Sequence, residues 1–156
     1  MPYEFKVIRR VEFSDTDMAG LMHYSNFFRF METAEHAFFR SLGTSIFNAE
    51  DPSLGRPRVH AQWVGWPRVH AECDFKAPLR FEDEVEIHLL VAAKKSKALH
   101  YTFIFRKLNA SPPVEVARGA LTVVCVRHKQ GGAMSACPIP KSVANQIQTA
   151  PPELLV

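Results

Sequence analysis

The sequence predicts an α+β fold in which an antiparallel β-sheet covers one long helix. Residues 3–13 alternate between apolar and polar side chains, residues 25–42 repeat apolar side chains at helical spacing, and four further alternating runs follow between residues 69 and 126. Sequential strands joined by short links pair antiparallel. Because the helix and the sheet each have an apolar face that needs a partner, we expect them to pack together.

Composition indicates one globular domain over residues 1–156. The chain is 47% hydrophobic and 22% charged, which is typical of a folded protein, and its length fits a single core. No run of about 18 apolar residues is present, so we expect no membrane contact and a cytoplasmic location. Three cysteines without a Cys-x-x-Cys spacing indicate no disulfide framework and no zinc ribbon, and we expect no metal. The formal charge of +3 requires no nucleic-acid partner.

The first two elements are a strand and the long helix. The alternation in residues 3–13 has the period of a half-buried strand. In residues 25–42 the apolar stripe is wide, so most of the helix surface is expected to be buried. Ser25 or Asn26 is the candidate N-cap, and Gly43 is the candidate C-cap.

The remaining elements are strands separated by turn residues. Residues 44–57 contain Asn, Asp-Pro and Gly and are typical of a loop. The predicted strands cover residues 69–75, 85–91, 99–106 and 114–126. A lysine-rich turn at 94–97 and a proline-containing turn at 109–113 join the last three of them. The segment 138–147 is a candidate short helix.

The most informative motif places a carboxylate, Asp17, just ahead of the long helix. A helix N-terminus has unpaired backbone N–H groups and a partial positive charge, which suit an oxyanion, and a neighbouring carboxylate can act as base or nucleophile. The alternative is an ordinary turn, because Asp-Thr-Asp before Gly20 is also a pattern in which Asp side chains bond to their own backbone.

Two segments resemble a known family. The sequence FSDTDMAG at 13–20, followed by YSNF at 24–27, resembles the signature of hotdog-fold thioesterases, and among them the 4-hydroxybenzoyl-CoA thioesterase type. The segment HAECDFKAPLRFED at 70–83 is similar to that family in order and spacing. The resemblance covers roughly residues 3–128 and leaves 129–156 as a C-terminal tail. It implies a hotdog fold, in which the sheet wraps around one long central helix.

The resemblance implies an acyl-CoA thioesterase, which hydrolyses a thioester to the free acid and CoA. Asp17, the second Asp of the pair, would be the general base or the nucleophile. Backbone N–H groups near Tyr24 and Ser25 would polarise the thioester carbonyl. His23 would orient water or bond Asp17, or else it is a loop imidazole that faces solvent or caps a backbone group. Many relatives have a histidine one position later, where this chain has Tyr24.

The substrate would need cationic and apolar partners, because coenzyme A carries phosphate groups and the acyl group needs a pocket. The candidates for the CoA phosphates are Lys94, Lys95, Lys97 and Arg80. The candidates for substrate contacts are Asn26, Phe27 and Phe28. A lysine-rich turn is also typical of a solvated hairpin, aromatic residues at helical spacing are also typical of a core, and Asn26 could instead hold the loop or cap the helix.

Other assignments stay open at this level. Glu32 and Glu35 on the helix are second candidates for the catalyst, because relatives with a different site plan use a helical Glu. The resemblance implies a homo-oligomer, a dimer or a tetramer built as a dimer of dimers, with each site at a subunit boundary and no cofactor consumed. A non-hydrolytic protein that binds acyl-CoA or acyl-carrier protein is the alternative function. The acyl preference and the choice between CoA and carrier-protein thioesters are not determined.

Overall fold

The long helix α1 packs across one face of a five-stranded antiparallel sheet. The computed structural model describes residues 1–49, 62–129 and 132–156. The spatial order of the strands is β1-β5-β6-β7-β4, and every neighbouring pair is antiparallel. In chain order these strands are β1 (Glu4–Arg10), β4 (Arg68–Phe75), β5 (Glu84–Lys94), β6 (Ala98–Lys107) and β7 (Val114–Val124). The predicted α+β architecture, with the sheet covering the helix, is confirmed.

Helix α1 spans Ser25–Ser41, as its apolar spacing predicted. Its buried apolar residues are Phe27, Phe30, Met31, Ala34, Phe38 and Phe39. The helix ends where predicted, because Gly43 adopts a left-handed conformation with φ of +79° and its N–H bonds the Arg40 carbonyl at 3.0 Å. The helix and sheet approach closely at Gly119, where a Cβ atom would lie 2.1 Å from the Met31 Cε.

The N-terminal strand is shorter than predicted. β1 ends at Arg10, and a 3-10 turn at Phe13–Asp15 follows. The Glu12 and Asp15 groups bond reciprocally and close this turn, while the Val11 N–H bonds the Asp83 carbonyl at 2.9 Å. Phe13, predicted as the last inward residue of the strand, is therefore 77% exposed.

A second, smaller sheet was not predicted. Its order is β2-β3-β8-β9, and its strands are β2 (Asn48–Ala49), β3 (Gln62–Gly65), β8 (Val126–Lys129) and β9 (Ser135–Ala136). Residues 50–61 lie outside the described residues and include positions 50–57 of the predicted 44–57 loop, whereas positions 48 and 49 of that loop form β2. These strands are two to four residues long, too short for an alternating pattern to identify them.

The C-terminal tail packs onto the main sheet. The predicted short helix is present as α2 (Lys141–Ala144). Ile147 is fully buried, and the Ala150 N–H donates to the Val91 carbonyl at 2.8 Å. Lys94 Nζ donates to the carbonyls of Ala144 and Ile147, both at 2.8 Å. None of the described helices is both long and apolar enough to span a bilayer.

Candidate functional site

The loop between β1 and α1 holds Asp17 in a tight turn. Asp17 Oδ1 accepts the N–H of Ala19 at 2.9 Å and that of Leu21 at 3.3 Å. Gly20 adopts a φ of +77°, a left-handed conformation in which a side chain would be strained. The Asp17 Oδ2 atom has no hydrogen-bond partner among the described residues. Asp17 therefore has two parts to play. Its Oδ1 closes the turn, and its Oδ2 is unpaired and could act as a base or nucleophile.

Two hydrogen bonds fasten this loop to the start of α1. The Asp15 carbonyl accepts the N–H of His23 and the side-chain Nδ2 of Asn26, both at 2.8 Å. Asn26 is buried, so the hydrogen bond from its side chain to the Asp15 carbonyl is shielded from water. Asn26, predicted as a substrate contact or a loop holder, has its side-chain donor engaged in holding the loop.

His23 caps the helix start with its imidazole. Its Nδ1 accepts the N–H of Ser25 at 3.2 Å and lies 2.8 Å from the Ser25 Oγ. Because Nδ1 accepts a backbone N–H, a ring proton would lie on Nε2. Neither Ser25 nor Asn26 serves as the N-cap. Of the roles considered for His23, capping a backbone group is the one that these hydrogen bonds describe.

The Tyr24 backbone N–H is the unpaired donor at this helix start. The N–H groups of Asn26 and Phe27 bond the carbonyls of His23 and Tyr24, and the N–H of Ser25 bonds the His23 ring. Within residues 1–49, 62–129 and 132–156, the N–H of Tyr24 has no acceptor. The Tyr24 ring stacks on His23 at 4.5 Å between centroids and is largely exposed. A donor of this kind can stabilise a developing oxyanion.

Two clefts meet at Asp17. The first cleft, of about 420 Å³, lies between the start of α1 and the end of β4, and its walls include Asp17, Tyr24, Phe27, Phe75, Lys76 and Pro78. The second cleft, of about 560 Å³, is lined by Phe13, Thr16, Asp17, Met18, Gly20 and Phe81. Asp17 is exposed to solvent and belongs to both. Phe28, a predicted substrate contact, instead packs against the core and does not line the first cleft.

The predicted phosphate-binding cations fall into two separate places. Arg80 pairs with Leu21 through an isolated β-bridge and so lies beside the Asp17 turn. The lysine turn lies at the opposite end of β5, because this strand begins next to Asp83, which accepts the Arg80 N–H, and runs for 11 residues. At 3.3 Å per residue this strand is roughly 35 Å long. Lys94, Lys95 and Lys97 are all exposed, and the Nζ of Lys94 also bonds the tail carbonyls.

Lys76 is a site residue that the sequence did not single out. It lines the first cleft, and its Nζ contacts the carboxylate of Glu115 on β7. A lone lysine after a strand is typical of a solvated surface, and its cleft position depends on β4 ending beside α1. The sequence alone therefore does not show that Lys76 lies near the Asp17 motif, whereas the folded structure does.

The helical glutamates lie away from both clefts. Glu35 is fully buried, and its Oε1 accepts a hydrogen bond from Arg68 Nη2 at 2.5 Å. Burial, partly offset by Arg68, raises the pKa of Glu35 to about 7. Glu32 is exposed and lies 3.7 Å from the same guanidinium. Neither carboxylate lines a cleft with Asp17.

An antiparallel sheet that covers one long helix is the hotdog arrangement, and a solved thioesterase structure shares it. The chain belongs to the thioesterase-like superfamily, whose family model matches residues 11–147.

Individual relatives agree with this assignment. A protein of Aquifex aeolicus (strain VF5), provisionally named an esterase, is 32% identical over 92% of this chain and 95% of its own length. A 1,4-dihydroxy-2-naphthoyl-CoA hydrolase of Parasynechococcus marenigrum (strain WH8102) is 33% identical over 54% of each chain. The solved structure of the gentisyl-coenzyme A thioesterase BH1999 is 31% identical, has a TM-score of 0.70, and covers 90% of this chain and 99% of that one.

Proposed function

We propose that this chain hydrolyses an acyl-CoA thioester to the free acid and CoA, with Asp17 as the carboxylate catalyst. The observation that carries the proposal is the geometry of Asp17: one oxygen is fixed by the turn, and the other is unpaired where two clefts meet. A thioester carbonyl has two substituents, the acyl group and the thiol. A carbonyl held at Asp17 therefore has a separate cleft for each.

The oxyanion would be bound by the Tyr24 N–H. This donor is unpaired among the described residues and lies at the positive end of the α1 dipole, where negative charge is stabilised. Asp17 would activate water as a general base or attack the carbonyl as a nucleophile to form a mixed anhydride. In either route His23 keeps Ser25 and the helix start in place, and the reaction consumes no cofactor and needs no metal.

A second copy of the chain would complete the site. β4 is an edge strand, and most of its residues are exposed, including inward-facing Phe75, which is 50% exposed although its ring packs 5.0 Å from Phe27. An unpaired strand edge is a template for pairing with another chain. Antiparallel pairing of β4 with its copy would give a continuous sheet and cover the first cleft, so we propose a dimer, or a dimer of dimers, as the working unit.

Such a dimer would also bring the lysine turn to the site. Within one chain this turn and Asp17 lie at opposite ends of β5. A partner that pairs antiparallel is reversed, so its lysine turn lies at the end of the joined sheet where Asp17 of the first chain lies. We propose that the partner's Lys95 and Lys97, together with Arg80 of the first chain, contact the CoA phosphates. An acyl-carrier protein in place of CoA stays a prediction.

Release of free thiol from a panel of benzoyl, short, medium and long acyl-CoAs tests the proposal. We expect turnover of at least one thioester by the wild type and a loss of a hundredfold or more in Asp17→Asn. Glu153→Gln, which removes an exposed carboxylate in the tail, serves as the charge control and should retain full activity. Saturable binding without turnover would support the non-hydrolytic alternative, and turnover untouched in Asp17→Asn would refute the role of Asp17.

A further inference from the structure

We propose that Lys76 determines acyl specificity, by donating a hydrogen bond to an oxygen substituent on the ring of an aromatic acyl group. The inference rests on the proposed function, because it takes the first cleft as the acyl site. Lys76 lines that cleft together with Asp17, on the strand side opposite the start of α1. Lys76 therefore lies in the same pocket as the proposed reacting carbonyl, but it is not part of the loop that holds Asp17.

The shape of the first cleft suits a flat ring. Phe27 and Phe75 meet edge to face at 5.0 Å between ring centroids, and Tyr24 borders the same space. Aromatic rings prefer edge-to-face and offset neighbours, so an acyl ring can extend this arrangement. The volume of about 420 Å³ lies within the usual range for small-molecule sites.

The backbone and the ammonium group of Lys76 are both held in place. The Lys76 N–H donates to the Val116 carbonyl at 2.8 Å, which fixes the residue against β7. Its Nζ contacts Glu115, and Glu115 also accepts a hydrogen bond from Arg118 Nη2 at 2.8 Å. An ammonium has three N–H donors and Glu115 takes one of them, so donors remain for a ligand.

The charges in the cleft favour a ring that carries oxygen. Asp17 and Lys76 are the charged residues among those that line it. Asp17 serves the carbonyl, whereas an unsubstituted ring offers the Lys76 ammonium no hydrogen-bond acceptor. A ring hydroxyl or carboxylate supplies that acceptor, and a hydrogen bond to a charged donor is stronger than one between neutral groups.

Binding of two non-hydrolysable thioether analogues tests the inference without requiring turnover. One analogue carries a phenyl ring on the acyl side and the other a hydroxyphenyl ring, and each is titrated calorimetrically into the wild type and Lys76→Met. We expect the wild type to prefer the hydroxylated analogue by about tenfold, the lower end for a charge-assisted hydrogen bond because Lys76 is half exposed. Lys76→Met should bind both analogues alike.

Lys6→Met is the matched control. The Lys6 side chain is also 50% exposed and paired with a glutamate, Glu86, but it lies on β1 at the other edge of the sheet. Lys6→Met should retain the wild-type preference, and Lys76→Arg, which keeps a charged donor, should retain part of it.

Three results would overturn the assignment of Lys76. Equal binding of both analogues by the wild type would remove the preference to be explained. An equal loss for both analogues in Lys76→Met would assign the lysine to the CoA portion, and an unchanged preference in Lys76→Met would assign it no role. The proposed hydrolysis is judged separately, because a protein that shows the Lys76-dependent preference but releases no thiol would keep this inference and refute turnover.

Discussion

Glu35→Gln replaces a fully buried carboxyl group on α1 by a neutral amide of nearly the same size. Glu35 Oε1 accepts a hydrogen bond from Arg68, while Oε2 has no partner among the described residues. Three further titratable groups surround it: Glu32, His36 with its Nε2 3.9 Å from Oε1, and Tyr101. Burial, and next the nearby Glu35 charge, raise the pKa of Tyr101 well above its ordinary value, so this tyrosine stays neutral.

The magnitude follows from the pKa of Glu35, which rises from an ordinary 4.5 to about 7. The folded protein therefore binds this proton more tightly than the unfolded chain does. The resulting stability is fully present below pH 4.5 and is lost as pH rises through 7. The rise of this pKa from 4.5 to about 7, at about 1.36 kcal/mol for each pH unit, gives a loss of about 3 kcal/mol.

Urea unfolding of wild type and Glu35→Gln between pH 4.5 and 9 measures this loss. The free energy of unfolding of the wild type should fall by about 3 kcal/mol more than that of the variant over this range. Glu32→Gln is the control, because Glu32 is exposed beside the same Arg68 and its charge is the smallest of the causes that shift the pKa of Glu35, so it should keep most of the wild-type fall. A difference between wild type and Glu35→Gln that stays constant with pH would refute the buried, proton-binding carboxyl. A difference that grows in the opposite direction would show that Arg68 outweighs burial.

Two further changes test the supports of the site and the tail. Asn26→Ala removes the buried donor to the Asp15 carbonyl, and we expect a loss of about 1 to 2 kcal/mol in urea unfolding and faster amide hydrogen exchange at His23; unchanged exchange would show that the loop does not depend on this bond. Lys94→Met removes two hydrogen bonds to tail carbonyls, and we expect faster exchange of the tail amides with unchanged CoA affinity. Weaker CoA binding with an unchanged tail would support the predicted contact of Lys94 with the CoA phosphates.

The elements that the sequence predicts well are those whose signals are local. The helix over 25–41 and its end at Gly43 follow from apolar spacing and from the conformational freedom of one glycine. The strands of the main sheet follow from alternation. Local signals failed where tertiary hydrogen bonds decide the outcome. At Val11, the N–H donates to the Asp83 carbonyl and the carbonyl accepts the Glu82 N–H, and the first strand ends early.

The candidate site divides in the same way. Asp17 and the helix start lie within ten residues of each other, so a short motif is enough to find them. Lys76 directly follows a strand about 60 residues later, and only the packing of β4 beside α1 brings it into the first cleft. The separation of the lysine turn from Asp17 depends equally on strand direction, which composition does not encode.

The Asp17 side chain stabilises the turn in which Asp17 itself lies. Its Oδ1 closes the turn by accepting the N–H groups of Ala19 and Leu21, and its Oδ2 is the atom left over. Replacement by alanine would therefore remove the reactive oxygen and loosen the loop together, and a fall in rate would have two explanations. Asparagine keeps an acceptor for the turn and changes the second oxygen alone. Asp17→Asn therefore tests the reactive oxygen while the turn is kept, which Asp17→Ala cannot do.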